Sequence, residues 1–450
     1  MRLVIVGTGK VGEKMVEFFT KANHNVVIVD IDYKTVETVV NKYDVKGVVG
    51  FGLDRSVLQD AEVASADFFI ACTPRDELNV LSCVMAKKLG AAHTIARVRS
   101  PEYFEEVETI SNFLGVDMVF NPEYRTALEI ANILKFPFAY NVENFAGGKA
   151  LLLELHVEPN SALSGSTVEH IIGQAGTGVL FAMAKRGGKV FIPRGDFVVE
   201  DGDILHVIAS KDQIIGFCKK LGLYKRQSKN VFIVGGSMTA YYLAKALEST
   251  DTQVKILDID EKRCQELSQK LPKAVILSGD GTDTNVLDEE RLKDADACIT
   301  LTGIDEENVI ISLYAQQKKV TKIITKISRP AIISLVKNLG LDTVLSPHAV
   351  IANHILQFVR SSQSNSGLAI NALYKISDVG EAIEFTVTES FPKRGIPLEN
   401  LKLKSNLLIG GIVRDNEFIL PTGKTVLLSG DKVIVVTTKS DITDLEQILR

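Results

Sequence analysis

"LVIVGTGKVG", residues 3–12, decides how this chain is read. Four apolar residues run straight into Gly7, Gly9 and Gly12. "KVGEKMVEFFTKAN" then follows with helical spacing at Val11, Met15, Phe18 and Phe19. Strand, glycine turn and helix in that order make the G-x-G-x-x-G arrangement that cradles a pyrophosphate. Gly7 permits the tight turn. Gly9 lets backbone N–H groups approach a phosphate, and Gly12 lets the helix pack on the sheet. The helix N-terminus adds partial positive charge. Asp30 closes the next apolar run, "NVVIVD", 23 residues after Gly7. There a carboxylate can accept hydrogen bonds from ribose hydroxyls and repel the 2′-phosphate of NADP. The pattern points to NAD(H) or an adenine nucleotide. The alternative is a turn of this shape that has lost its ligand.

The chain then repeats itself. "VFIVGGSMTA" (231–240) places Gly235 on Gly7 at an offset of 228, and at that offset Asp258 falls on Asp30. "GFGLD" (50–54) faces "GDGTD" (279–283), and "TPRDELN" (73–79) faces "TGIDEEN" (302–308). Arg97 falls on Lys326 and Pro101 on Pro330. Further on, "VFIPRGDFVVEDGDILHVIASKDQI" (190–214) faces "FILPTGKTVLLSGDKVIVVTTKSDI" (418–442). A unit of about 225 residues has been duplicated. Its first part alternates strand and helix, which predicts a parallel sheet covered on both faces. Its second part shows short strands between Gly, Pro and Asp turns, with "STVEHI" and "KDQIIGFCKKLG" helical. The fold class is α/β: two tandem Rossmann-like doubly wound parallel-sheet domains, each followed by a small α+β lobe. The expected divisions are 1–136, 137–224, 229–360 and 361–450. "YKRQSKN" (224–230) links the two units, and "RSSQSNSG" (360–367) reads as a Ser-rich loop.

Composition excludes several classes. The net charge of −5 over 450 residues argues against a general nucleic-acid binder. Five cysteines without a CxxC pair fit buried thiols in a reducing compartment rather than a disulfide framework or a zinc site. The start shows no secretory h-region. The longest stretch free of Asp, Glu, Lys and Arg, Thr343–Val359, holds Pro, His, Asn and Gln. It does not read as a membrane span, so the expectation is a soluble chain that reaches a membrane only through a partner.

Other residues join the site by position. Backbone around Cys72 and Thr73, in "ACTPRDELN", is expected beside the nucleotide. Arg97 and Arg99 alternate past a strand, so one should face the site, where Arg97 can reach a phosphate. The alternative is a solvated pair. Asp76 and Glu77 read as acids complementing a helix dipole. In the second unit Ser237 replaces Gly9 and Ala240 replaces Gly12, while Asp258 remains. That copy is either a second site, with Gly236 compensating, or a structural repeat. Catalysis has little support. A dehydrogenase needs an acid–base group near the nicotinamide. His93, the nearest candidate in sequence, reads as a solvated helix-end residue. No metal-ligand spacing is present.

These motifs in duplicated order resemble the TrkA family of Trk potassium-uptake systems. The residues that carry the resemblance are "IVGTGKVG", "VDID", "RVRSPEY", the repeated "VGG" and "LDID", and the "PxG…GD" signature of both lobes. It covers essentially the whole chain, in the order RCK-N, RCK-C, RCK-N, RCK-C. The resemblance implies a non-enzymatic cytoplasmic regulator, peripheral on the inner face of the cell membrane. It implies a homotetramer whose eight Rossmann lobes form a ring beneath a TrkH-type potassium channel subunit, without nucleic acid and without membrane insertion. NAD or NADH, with ATP and ADP as alternatives, would bias the shape of that ring. The residues carried over as nucleotide contacts are Gly7, Thr8, Gly9, Lys10, Val11, Gly12, Asp30, Cys72, Thr73 and Arg97. Gly235, Asp258 and Lys326 follow in the second unit against the departures at Ser237 and Ala240. Phe51, standing where the second unit has Asp280, is a further departure. Two rival readings are an NAD-dependent oxidoreductase and a ring-type sensor gating a different ion transporter.

Overall fold

The structure is a computed structural model that describes residues 1–176, 178–224, 227–341, 343–362, 370–376, 380–438 and 442–449. It folds as two compact units, residues 1–127 with 346–352, and residues 128–345 with 353–450. The Ser-rich stretch 363–367 and residues 225–226 of the linker lie outside the described residues. Arg360 and Ser361 end a helix, Pro347–Ser361, rather than opening a loop.

Short apolar runs become strands because neighbours on both sides bury them. The first sheet is formed by β1 (Arg2–Val6), β2 (Asn25–Asp30), β3 (Lys46–Val49), β4 (Phe68–Ala71), β5 (His93–Arg97) and β6 (Met118–Phe120). All pair in parallel, in the order β3-β2-β1-β4-β5-β6. Leu3, Val4, Ile5 and Phe69 are fully buried, as a sheet covered on both faces requires. The order reverses between β1 and β4, and ligands bind at the carboxyl ends of strands at such a switch point.

The first small lobe holds β7 (Asn141–Phe145), β8 (Ala150–His156), β9 (Leu180–Arg186), β10 (Lys189–Phe191) and β11 (Ile204–Ala209) in an antiparallel sheet, β10-β9-β11-β8-β7. The second Rossmann sheet repeats the first with β12 (Asn230–Val234), β13 (Gln253–Asp258), β14 (Val275–Ser278), β15 (Ala297–Thr300), β16 (Lys322–Lys326) and β17 (Val344–Leu345). Its order, β14-β13-β12-β15-β16-β17, is the same. The second small lobe has β18 (Ile370–Lys375), β19 (Glu381–Thr386), β20 (Leu407–Arg414), β21 (Glu417–Ile419) and β22 (Lys432–Thr437). Its order matches the first lobe strand for strand.

The two small-lobe sheets share one buried core. Leu152, Met183 and Ile208 from the first meet Ala382, Ile434 and Val436 from the second. The lobes differ in their helices. The first has Val168–Ala175 and Lys211–Lys220, each N-capped by a hydroxyl, from Thr167 and Ser210. The second has only the 3-10 turns Leu398–Asn400 and Leu445–Ile448 among its described residues. Pro397 supplies no capping oxygen at the first of these. Leu401 and Leu403 then alternate as an extended chain does, so the helical turn does not propagate.

Candidate nucleotide-binding site

The glycine turn follows β1 at the switch point of the first sheet. Gly7 has φ +89, and a Cβ there would stand 2.8 Å from Thr73 N. At Gly12 a Cβ would stand 2.0 Å from the Gly7 carbonyl oxygen. Both glycines are therefore required by close approach. Gly9 differs, because a Cβ there would meet nothing within 4 Å. Its missing side chain leaves open space in front of the helix Lys10–Lys21. Gly9 is also the N-cap of that helix and offers its first amides no side-chain acceptor. Those N–H groups and the helix dipole suit an anion. Thr8 and Val11 are buried around the turn, and Lys10 is exposed beside it.

Asp30 holds the turn in place. Its Oδ2 accepts from Thr8 N at 2.7 Å and Thr8 Oγ1 at 2.9 Å, and Oδ1 accepts from Asp32 N at 3.1 Å. It is thus a structural acceptor as well as a candidate for ribose. Cys72 enters as a thiol. Burial pushes it up to about 12, only partly offset by the charge of Arg97, and its Sγ donates to Gly7 O at 3.0 Å. Thr73 N and Oγ1 both donate to Asn79 Oδ1, at 2.8 and 2.7 Å. Asn79 Nδ2 donates to Thr73 O and to Arg97 O, each at 3.0 Å. One fully buried amide thus ties the end of β4 to the end of β5.

Arg97 sits at that end of β5. Its Nη2 donates to Glu123 Oε1 at 3.2 Å. Arg97 Nε and Glu123 Oε2 are both buried without a hydrogen-bond partner. Buried polar atoms in that state mark where further polar groups belong. Uncapped amides, open space at Gly9, Asp30 and Arg97 together fit a nucleotide with a phosphate at the helix end. Such a nucleotide would supply binding energy and charge rather than a reacting group. Arg99 faces elsewhere: its backbone N donates to Asp76 Oδ2 at 2.9 Å, and its guanidinium contacts Pro74 O. Asp76 also accepts from Ser100 N at 2.9 Å. It closes this loop, a larger role than complementing a dipole. His93 is a correction. It begins β5, at the end opposite Arg97, and stacks on Phe68 at 5.0 Å rather than ending a helix.

The second copy keeps the frame and changes the mouth. Gly235 has φ +102, and Asp258 Oδ2 accepts from Gly236 N. Gly236 does not compensate for Ser237. A Cβ on Gly236 would meet Leu267 Cδ1 at 2.8 Å, so this glycine relieves packing. Ser237 is the N-cap of Met238–Leu247, and its own Oγ accepts from Ala240 N. Arg263 lies against the turn, its Nε donating to Gly236 O at 2.6 Å and its Nη2 to Met238 Sδ at 3.4 Å. Lys326 Nζ donates to Leu301 O at 3.4 Å. The frame residues recur: Asn308 bonds Thr302 and Lys326 O as Asn79 does, and Asp305 accepts from Ser328 N and Arg329 N, each at 2.9 Å.

The TrkA-N domain model matches residues 3–122 and 231–347, and the TrkA-C domain model matches residues 152–222 and 382–450. The chain belongs to the TrkA family. A Trk system potassium uptake protein TrkA homolog of Archaeoglobus fulgidus is 33% identical over 451 residues, with all of both chains covered. The Haemophilus influenzae Trk system potassium uptake protein TrkA is 28% identical over 460 residues, covering 100% of this chain and 99% of that one. Among solved structures, the GsuK RCK domain superposes with a TM-score of 0.66 at 19% identity, covering 99% of this chain and 93% of that one. The GsuK channel bound to NAD gives 0.65 at 18% identity, covering 99% and 77%. These two likenesses establish the fold.

Within this TrkA-type chain the structure brings Gly7, Thr8, Gly9, Gly12, Asp30, Cys72, Thr73 and Arg97 to one end of one sheet. Sequence reasoning gave no role to Asn79 or Glu123. The recurrence of Asn79 at Asn308 was visible in the repeat, but its four hydrogen bonds depend on a loop that only folding closes. Glu123 carried no signal. Among the described residues no group of His, Cys, Asp and Glu could hold a metal ion. No helix among them is long and apolar enough to cross a membrane.

Proposed function

We propose that this protein is a nucleotide-binding regulatory subunit of a potassium-uptake system. NAD or NADH, with ATP and ADP as competitors, binds the first Rossmann domain and biases the shape of a ring-shaped homotetramer. That ring gates a TrkH-type channel subunit at the inner face of the cell membrane, without chemical turnover. The four-part division 1–136, 137–224, 229–360 and 361–450 belongs to this reading. The observation that carries it is the first glycine turn: an uncapped helix N-terminus facing open space, with Asp30 and Arg97 beside it, in a chain whose relatives bear potassium-uptake names. A nucleotide shifts the ring only if it binds one shape better than the other.

The second turn supports a weaker site. Gly235 and Asp258 keep the geometry of Gly7 and Asp30, but Ser237 Oγ already takes the Ala240 amide that a phosphate would meet. Calorimetric titration of the whole chain with NADH, NAD, ATP and ADP tests both statements. One site per chain, lost in Asp30→Ala, is expected. Absence of binding by any of the four overturns the reading, and nicotinamide absorbance that changes with a metabolite replaces it with an oxidoreductase.

A further inference from the structure

The residues beyond Asp30 differ between the two copies in one consistent direction. A nucleotide held by the first glycine turn puts its phosphates at the helix end and its ribose at Asp30. Its base then lies past the ribose, over the ends of β2 and β3. Asp30 pairs with Val49 across these two strands, and Gly50 N donates to Asp30 O at 2.8 Å. Ile31 and Tyr33 follow this pair on the β2 side, and Phe51 follows it on the β3 side.

The loop after β3 has a shape fixed by its neighbours. A Cβ on Gly50 would stand 2.4 Å from Val57 Cγ2, and one on Gly52 2.5 Å from Val6 Cγ1. Between them, Phe51 O accepts from Asp54 N at 2.8 Å, and Asp54 caps the helix Arg55–Asp60. The second copy builds the same loop. Val286 and Val234 crowd Gly279 and Gly281, Asp280 O accepts from Asp283 N at 3.1 Å, and Asp283 caps Thr284–Glu289. Backbone, glycines and cap therefore make the loop, and the middle side chain is left to other uses. Asp280 Oδ1 accepts from Thr282 N at 2.8 Å and Thr282 Oγ1 at 2.7 Å. Phe51 has no polar atom for that purpose, and it is 45% exposed.

Tyr33 differs in the same sense. It is 62% exposed, and the second copy has the exposed Glu261 in its place. Ile31, 72% exposed, is matched by the exposed Ile259. The first mouth thus shows solvent two aromatic rings and an isoleucine, where the second shows two carboxylates and an isoleucine. One exposed apolar side chain needs no explanation, but three at neighbouring strand ends mark a surface that takes a ligand. An aromatic ring holds a nucleobase by its π-face, which every base has. Carboxylates offer no such face and repel an anionic nucleotide.

We infer that Phe51 and Tyr33 form the base seat of the first nucleotide site, and that this seat selects by stacking rather than by hydrogen bonds. It takes purine nucleotides as a class, guanine as readily as adenine. The seat belongs to the nucleotide site proposed above and rests on that reading. Phosphate and ribose are held by groups that meet every nucleotide alike, so discrimination among bases falls to these two side chains.

The experiment is calorimetric titration of the whole chain with ATP and with GTP. It compares wild type, Phe51→Ala, and a double variant, Phe51→Asp with Tyr33→Glu, that copies the second mouth. Wild type should bind the two nucleotides within about tenfold of each other, because a site that hydrogen-bonds its ligand rejects the wrong one by orders of magnitude and a stacking site does not. Phe51→Ala should weaken both about tenfold, and by the same factor. The double variant should weaken both at least as much. Thermal midpoints should stay at the wild-type value, since the second copy builds this loop around Asp280. A wild-type preference beyond about tenfold overturns the seat, and so does a Phe51→Ala protein that binds as wild type does. Tighter binding by Phe51→Ala would show the ring filling the place of the base, and a midpoint lowered in both variants would make it a packing group; either overturns the seat. If neither nucleotide binds the wild type, the nucleotide reading falls and the seat with it. If both bind and Phe51→Ala changes nothing, only the seat falls.

Discussion

Asp30 accepts from Thr8 N, Thr8 Oγ1 and Asp32 N, and so shapes the glycine turn before any nucleotide arrives. Asp30→Ala removes three acceptor contacts at once. We expect a loss of about 1–2 kcal/mol of stability and nucleotide affinity at least tenfold weaker by calorimetry. Asp30→Asn should retain more of the stability than of the affinity. Gly12→Ala is a different kind of change. Its methyl would stand 2.0 Å from Gly7 O, so the turn has to move. A loss of about 2–3 kcal/mol, read from the urea midpoint, is expected; wild-type stability would mean that the turn is not closed as described. Ser237→Gly should work the other way, freeing the Ala240 amide and raising the nucleotide count from one per chain towards two. The glycines and aspartates were legible in the sequence because each meets a local steric or electrostatic demand at fixed spacing. Arg263 was not, because it reaches the second turn from the next helix, 27 residues beyond Gly236.

At the scale of elements, each small lobe is locked by one arginine. Arg186 Nε and Nη2 bond both oxygens of Asp203 at 2.7 Å, and Asp203 also accepts from Glu200 N. Arg414 and Asp431 repeat this at 2.8 Å, with Leu428 N in place of Glu200 N. The repeated "GD" was read from the sequence, but its partner arginine, on a strand 17 residues earlier, was not. Arg186→Ala leaves a fully buried carboxylate unpaired and should cost about 3 kcal/mol, measured by thermal or urea unfolding. Glu129, on the helix Pro122–Lys135, offers a pH test. Burial pushes it up to about 7 from the ordinary 4.5, so the folded protein keeps that proton longer than the unfolded chain. Its stabilising effect is full below about pH 4.5 and is lost as pH rises through about 7. Glu129→Gln should flatten a change on the order of 3 kcal/mol across that window in stability-versus-pH curves. An unchanged slope would assign it to other groups.

For the whole molecule, duplication supplies two Rossmann sheets of one order and two small lobes joined through a shared core. If only the first glycine turn takes nucleotide, Asp30→Ala should abolish the nucleotide response of potassium flux when the protein is reconstituted with the TrkH-type subunit proposed above. Asp258→Ala should then leave that response within about twofold. Equal effects of the two variants would show that both sheets sense. The sequence by itself determined the class of fold, the duplication and the place of the first glycine turn with its acid. Those depend on short-range periodicity, on glycines where backbone crowds backbone, and on an acid at a strand end. Only the tertiary structure decided which residues hold the loops of the candidate site together, that Ser237 Oγ caps the second helix by taking the Ala240 amide, and that Arg263 reaches the second turn at Gly236 O. Those facts depend on contacts between strands and helices far apart in the chain. Nothing in local spacing reports such contacts, because the free energy of a buried polar group is set by the partners that folding brings to it.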